Sequence, residues 1–370
     1  MKTAIVYDRV NKWGGAERVL LALHEIFPDA PLYTAVYTPN KAKWAKIFPN
    51  VIPTYLQKIP YLRDRHELLG TFTPMAFELF DFSEYDLVIS VTSEAAKGII
   101  TTPPTRHICY CLTPTRYLYS GKDLYRDSPP KYLNFPLYEY ISRPFLYYVE
   151  KWDEVAAQRP DVYIAISTEV QNRIKNYYKR DSKVIHPPVD IDKFKYFSNV
   201  KKKDYYLLVS RLVPYKKVDL AIKAFNQLGK ELVVVGTGSE EEKLKSKAVD
   251  NIKFVGEITD KQLARYYLEA KGLIFPQEED FGIVAVEAIS SGTAVIAYNK
   301  GGILDIVKSG VNGVLFDKQT KSGLVQAVKK FDTMIFTPPG VAETAREFSK
   351  DKFVDKLKKN ITANAEAKYR

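Results

Sequence analysis

Two glutamates, Glu279 and Glu287, stand eight residues apart in EEDFGIVAVEAISSG (278–292). The segment follows the apolar run GLIFP, and Phe281, Gly282 and Ile283 stand where a helix would open. A helix start offers unpaired backbone N–H groups and the positive end of the helix dipole, both suited to a phosphate. Glu287, about one turn past Ile283, is placed to reach a ribose, and Glu279 in the loop before the helix to face a sugar across a diphosphate. Eight helical residues span at most about 12 Å, the order of that sugar-to-ribose distance. The same spacing also fits an ordinary strand, turn and helix with solvated carboxylates.

Holding such groups requires strands that end where the ligand sits. From Tyr205 to about Phe331, apolar runs alternate with amphipathic ones. The strands expected are Tyr205–Ser210, Glu231–Gly236, Ile252–Gly256, Gly272–Pro276, Ala294–Tyr298 and Gly313–Phe316. Continuous apolar strands of this kind belong to a parallel sheet covered on both faces, which takes ligands at the carboxyl ends of its strands. The amino-terminal half repeats the theme in TAIVYD, the helical AERVLLALHEIF, YDLVIS, RHICYCL and DVYIAIS. Pro187 and Pro188 forbid a helix between the halves and place a boundary near Asp190. The expectation is an α/β chain of two domains, 1–190 and 191–342. A charged helical tail, 343–370, is expected to return to the first domain.

These segments resemble the retaining glycosyltransferases of family 4, which have the GT-B fold of two Rossmann-like domains facing a central cleft. The likeness covers nearly the whole chain, and the Glu-seven-residues-Glu segment carries it most strongly. SRLVPYKKVDLAIKAF is similar to the family segment that gives an Arg and a Lys to the donor diphosphate, which implies those roles for Arg211 and Lys216. Two such cations neutralise a leaving diphosphate without a metal. WGGAERVL resembles the family's first glycine-rich loop, with Gly14 and Gly15 near the donor phosphate or the acceptor. Gly236 and Gly238 fall where the family wraps the nucleotide, and Gly256 and Ile258 near its base pocket.

HICYCLTPTRYLY is most similar to the mannosyltransferase-like branch of surface-polysaccharide assembly, which uses GDP-mannose or similar donors. In that run Leu112 and Arg116 fall on the acceptor or sugar side. The family reads Cys-His-Thr-Pro where this chain has Cys111, Leu112, Thr113 and Pro114, and its His meets the 6-hydroxyl of the donor sugar. A hexose in the usual pose would leave that hydroxyl unpaired against Leu112, at about 1–3 kcal/mol. The departure therefore suggests a 6-deoxyhexose or pentose donor, with GDP-mannose the main rival. The resemblance implies a nucleotide sugar as co-substrate, a glycan or lipid-linked acceptor, no metal and no other cofactor. It also implies that the leaving phosphate takes the acceptor proton.

At 370 residues, with 46% hydrophobic and 27% charged residues, the chain is globular and long enough for two cores. The net charge of +11 predicts an anionic partner without naming it. A nucleic-acid-binding protein would share that charge, but no recognition motif supports one. A nucleotide-sugar epimerase would share the architecture and is told apart by the lack of a glycosidic product. Lys41, Lys43, Trp44, Lys46, Arg63, Arg65 and the Tyr-rich run 132–148 suit docking on an anionic leaflet, or equally the packing of first-domain helices. MKTAIVYDRV has no apolar stretch of signal-peptide length, so a cytoplasmic location is expected, peripheral to the membrane if the docking holds. Cys109 and Cys111 read as core residues of one strand, the four histidines as structural, and Asp190 and Asp192 of VDID as connection rather than metal ligands.

Overall fold

The structure is a computed structural model and describes residues 1–59, 70, 72–121, 138–198 and 200–366, with backbone alone for 138–142 and 363–366. The chain divides into two compact units, Met1–His186 and Pro187–Arg370. The division falls immediately before the Pro187–Pro188 pair.

The first unit is built on β1 (Thr3–Tyr7), β2 (Leu32–Thr34), β3 (Val51–Pro53), β4 (Leu87–Thr92), β5 (Arg106–Cys111), β6 (Val162–Ala165) and β7 (Ser182–Val184). They form one parallel sheet in the order β3-β2-β1-β4-β5-β6-β7. Every residue of β1 and β4 is buried, as the unbroken apolar runs require of strands covered on both faces. Helices α1 (Gly15–Ile26), α2 (Thr73–Glu78), α3 (Tyr138–Ala156) and α4 (Thr168–Arg173) belong to this unit. α1 turns Val19, Leu20, Ala22 and Leu23 into the core. Its amphipathic spacing is the one read from AERVLLALHEIF.

Asp8 ties the end of β1 to the turn after β4. Its carboxylate accepts from Thr92 Oγ1 (2.9 Å) and from the backbone N–H groups of Ser93 (2.7 Å), Glu94 (3.1 Å) and Ala96 (2.9 Å). Cys109 and Cys111 are buried free thiols of β5. Burial pushes the Cys109 thiol up to about 12. His107 is buried beside Ser90 at 2.8 Å, and burial pushes its imidazole down to about 3, so it is neutral at physiological pH.

The second unit holds β8 (Tyr205–Val209), β9 (Glu231–Val235), β10 (Ile252–Gly256), β11 (Gly272–Phe275), β12 (Val295–Tyr298) and β13 (Gly313–Phe316). These are the six strands expected from the sequence, each trimmed by no more than a residue or two. Their order is β10-β9-β8-β11-β12-β13, all parallel. Counted from β8 this is 3-2-1-4-5-6, the doubly wound order whose direction reverses between its first and fourth strands, where ligands bind. Helices α5 (Val218–Leu228), α6 (Glu241–Lys245), α7 (Asp260–Glu269), α8 (Ile283–Ser290), α9 (Lys321–Asp332), α10 (Pro338–Glu343) and α11 (Lys350–Glu366) complete the unit.

The tail expected to return to the first domain begins, as far as Phe348, inside the second unit. Phe348 meets Phe281 edge-on at 5.7 Å and its carbonyl accepts from Val189 N–H (2.9 Å). Thr344 Oγ1 accepts from Asn312 Nδ2 (2.8 Å).

Candidate active site

The reversal between β8 and β11 brings two distant sequence segments together. Ser210 and Arg211 follow β8 directly, and a 3₁₀ turn, Pro214–Lys216, carries the second cation. Lys217 then takes a left-handed conformation (φ 54°) before α5 starts. From the end of β11, Gln277 is buried and Glu278, Glu279 and Asp280 form the loop that leads into α8. Lys216 Nζ and Glu279 Oε1 form an ion pair across 63 residues of sequence. Their side chains are only 14% and 18% exposed. Arg211 and Lys216 are linked through Tyr215, whose hydroxyl accepts from Arg211 Nη2 (2.6 Å) and whose ring centre lies 5.2 Å from Lys216 Nζ. The sequence reading passed over Tyr215, although it stands inside the SRLVPYKK segment.

The glycines beside this pair serve close backbone approach. Gly236 follows β9 at φ 119°, and a Cβ there would fall on the Ser210 carbonyl. A Cβ at Gly238 would meet the backbone of Leu212, whose N–H donates to Thr237 O (2.9 Å) and whose carbonyl accepts from Glu240 N–H (2.9 Å). Gly236 N–H donates to Gly256 O (2.8 Å), and Ile258 lies partly buried two residues further on. The loops after β8, β9 and β10 are thus tied into one rim.

Gly282, at φ 118°, caps α8, with Phe281 buried before it and Ile283 as the first helical residue. The Glu279 loop rests on a second feature absent from the sequence reading, Gly301–Gly302 after β12. Glu279 bridges Gly301, and Gly302 N–H donates to Glu279 O (2.8 Å). A side chain on Gly302 would collide with the Asp280 carbonyl. Lys300 pairs with Glu278 at 3.1 Å. The signal that could have found this support is a Gly-Gly pair two residues beyond an apolar strand.

Glu287 lies in α8 and is 2% exposed. Its Oε2 accepts from the hydroxyl of Tyr267 on α7 (3.0 Å). The expected diphosphate residues and the expected ribose residue thus sit in one unit.

The remaining expected residues lie in the first unit. Gly14 is the N-cap of α1 in extended backbone, and Gly15 opens the helix exposed to solvent. Beneath them Glu17 is buried and accepts from the Tyr7 hydroxyl (3.0 Å), and burial raises its carboxyl above the usual range. Leu112 follows β5 directly, partly buried, its N–H donating to Thr92 O (2.8 Å). Thr113 beside it is buried, 3.5 Å from Arg173 Nη1. Arg116 is partly buried in the following turn. Asp190 accepts from Lys193 N–H (3.2 Å) in the turn after the proline pair. No cluster of three metal-ligating side chains occurs among the described residues.

Residues 190–334, the stretch that contains all of the second-unit loops above, match the family described as Glycosyl transferases group 1. The match lies within the second unit and covers less than half of the chain. An uncharacterized glycosyltransferase of Methanocaldococcus jannaschii is 27% identical over 200 residues, which are 53% of this chain and 56% of that one. The chain spans about half the length of the curated relatives it matches. Among solved structures, Anabaena HepE in complex with UDP aligns with a TM-score of 0.70 at 20% identity, covering 98% of this chain and all of that one. The lipopolysaccharide outer core galactosyltransferase WaaB, in its apo form, aligns with a TM-score of 0.70 at 17% identity, with the same coverage. Likeness at such identity establishes the fold alone, two Rossmann-like domains of the GT-B class.

Proposed function

We propose that the protein is a retaining, metal-independent glycosyltransferase that moves a sugar from a nucleoside-diphosphate donor to a hydroxyl of a glycan or lipid-linked acceptor in polysaccharide assembly. The observation that carries this reading is the Lys216–Glu279 pair at the carboxyl ends of β8 and β11, the ligand end of a doubly wound sheet. Lys216 and Arg211 hold the diphosphate, and the amides of Gly282 and Ile283 face its phosphates. Glu279, set free as Lys216 turns to the phosphate, orients the sugar. Glu287 grips the ribose, Gly236 and Gly238 let backbone approach the nucleotide, and Ile258 lies against the base. In the first unit, Gly15 is assigned to the donor, and Gly14, Leu112 and Arg116 to the acceptor or sugar side.

In the reaction the bond from C1 to the phosphate oxygen breaks and a bond from C1 to the acceptor oxygen forms on the same face. The acceptor proton passes to the leaving phosphate, so positioning and charge stabilisation supply the catalysis. HepE was solved with UDP and WaaB is a lipopolysaccharide galactosyltransferase, and both support a nucleotide sugar and a glycan acceptor here.

Leu112 favours a donor without a 6-hydroxyl over GDP-mannose. Turnover compared across GDP-mannose, GDP- and dTDP-linked 6-deoxyhexoses and UDP-xylose, with and without a chelator, is the test. A new glycosidic product is expected, unaffected by the chelator and formed faster from a donor lacking the 6-hydroxyl. A clear preference for GDP-mannose would sink the donor assignment, and nucleotide release without a glycoside would sink the transfer reading.

The reading includes peripheral attachment to an anionic membrane surface. No helix among the described residues is long and apolar enough to cross a membrane. Lys41, Lys43 and Lys46 are exposed, and so are Phe72, Met75, Leu79, Phe145, Tyr147 and Tyr148 of the same unit. Arg63, Arg65 and residues 132–137 lie outside the described residues. Sedimentation with anionic vesicles should show binding that weakens with salt, and recovery of all protein in the supernatant removes this part of the reading.

A further inference from the structure

Tyr267 has no counterpart in the roles above, yet it is the hydrogen-bond donor to Glu287. It lies in α7, fully buried, one helix away from α8. Its phenol reaches Glu287 Oε2 at 3.0 Å between two side chains both shut off from solvent. The rest of the residue is clamped. The ring is packed edge-on by Phe194 with centroids 5.5 Å apart. The backbone carbonyl accepts from Thr293 Oγ1 (2.5 Å) and lies 3.5 Å from Lys202 Nζ, and Lys202 also bonds Thr293. Burial pushes the Lys202 amine down to about 7, as fits an amine surrounded by neutral oxygens.

A carboxylate that must accept hydroxyls from a ligand binds best when its rotamer is already fixed, because no side-chain entropy is then lost on binding. A phenol held at both ends supplies that fixation, and an O–H to carboxylate bond is among the stronger neutral-donor bonds. We infer that Tyr267 is a positioning residue, holding Glu287 in the orientation that receives the ribose of the donor nucleotide. This role rests on the ribose assignment of Glu287.

The test is titration calorimetry of the full chain with UDP and GDP and with the 2′,3′-dideoxy form of whichever binds more tightly. Tyr267→Phe keeps the ring and deletes only the hydroxyl. It should weaken the ribonucleotide about five- to tenfold and leave the dideoxy analogue within twofold of wild type. Equal weakening of both, or of neither, overturns the positioning role, since a structural defect has no reason to distinguish them. Glu287→Gln separates the two assignments. A ribose-selective loss in Glu287→Gln without one in Tyr267→Phe leaves the ribose role standing and removes Tyr267 from it. No ribose-selective loss in Glu287→Gln removes both, as does wild-type protein that binds neither nucleotide. Should Tyr267→Phe fail to fold, Thr293→Val, which releases the Tyr267 carbonyl, is titrated instead. A ribose-selective loss of twofold or more is expected, and an unchanged ratio counts against the inference.

Discussion

Lys216→Ala is expected to lower turnover by about ten- to a hundredfold or more while leaving the melting temperature close to wild type. In the proposed reaction the leaving diphosphate gains charge as the C1–oxygen bond breaks, and Lys216 is one of two cations that meet it. A charge-assisted hydrogen bond is worth about 1.5–3 kcal/mol, and each 1.36 kcal/mol is tenfold in rate. The ion pair with Glu279 adds to the effect. Without Lys216, Glu279 loses the cation that holds its side chain in place before the donor arrives. Glu279→Ala should therefore also act on turnover, and the double variant should fall by less than the product of the single losses, since both act through one contact. Arg211→Ala should follow the same direction, with Tyr215→Phe milder because it removes only the hydroxyl between the cations. Initial rates at saturating donor measure all of this. Full activity in Lys216→Ala would falsify its assignment.

The largest effect on stability is expected in the first unit, from Lys97→Ala. Lys97 and Asp153 are 2.5 Å apart with side chains 2% and 1% exposed. Thr115 Oγ1 (2.8 Å) and the Tyr119 hydroxyl (3.1 Å) complete the shell of Asp153. The Lys97 amine also donates to Glu94 O (2.5 Å) and lies 5.4 Å from the centre of the Tyr178 ring. Removing one partner of a buried pair leaves an uncompensated charge, at about 3–5 kcal/mol. At about 2–4 °C per kcal/mol for a unit of this size, the unfolding midpoint of the first unit should drop by roughly 6–20 °C. Replacing both residues, Lys97→Met with Asp153→Leu, should recover much of the loss, because packed apolar groups substitute well for a buried pair. A single variant that melts with wild type would show that the charge finds water instead.

The two units differ in how far their sequences disclose them. All six strands of the second sheet are runs of four or five mostly apolar residues, each followed by a turn, and this makes them legible. In the first sheet, β2, β3 and β7 are three residues each, too short for any periodicity, and β3 ends on Pro53 at the sheet edge. They exist because neighbours pair with them, which no local pattern announces. The site shows the same division. Arg211, Lys216, Glu279 and Glu287 are visible as residue types, and the strands before them are visible as apolar runs. The Lys216–Glu279 pairing is not, because it depends on β8 and β11 being sheet neighbours while β9 and β10 lie on the other side. Tyr267 was hidden for a related reason. One tyrosine among 26 has no distinguishing spacing, and its value comes only from the helix beside it.

The backbone contact between Gly301–Gly302 and the Glu279–Asp280 loop bears on how donor choice could be altered by directed evolution. The backbone of Glu279 is located by main chain resting on main chain, through a bridge and a 2.8 Å hydrogen bond, while its side chain pairs with Lys216. Libraries that randomise positions 301 and 302 should therefore return mostly inactive clones, since a new Cβ displaces the carboxylate for every donor alike. Diversity placed at Leu112 and Ile258, which lie at strand ends and carry their side chains partly exposed, changes what the sugar or base would meet while the frame under Glu279 stays fixed. On the proposed roles, selectivity is open to change at those two positions, and the seat of the carboxylate at 301 and 302 is closed to it.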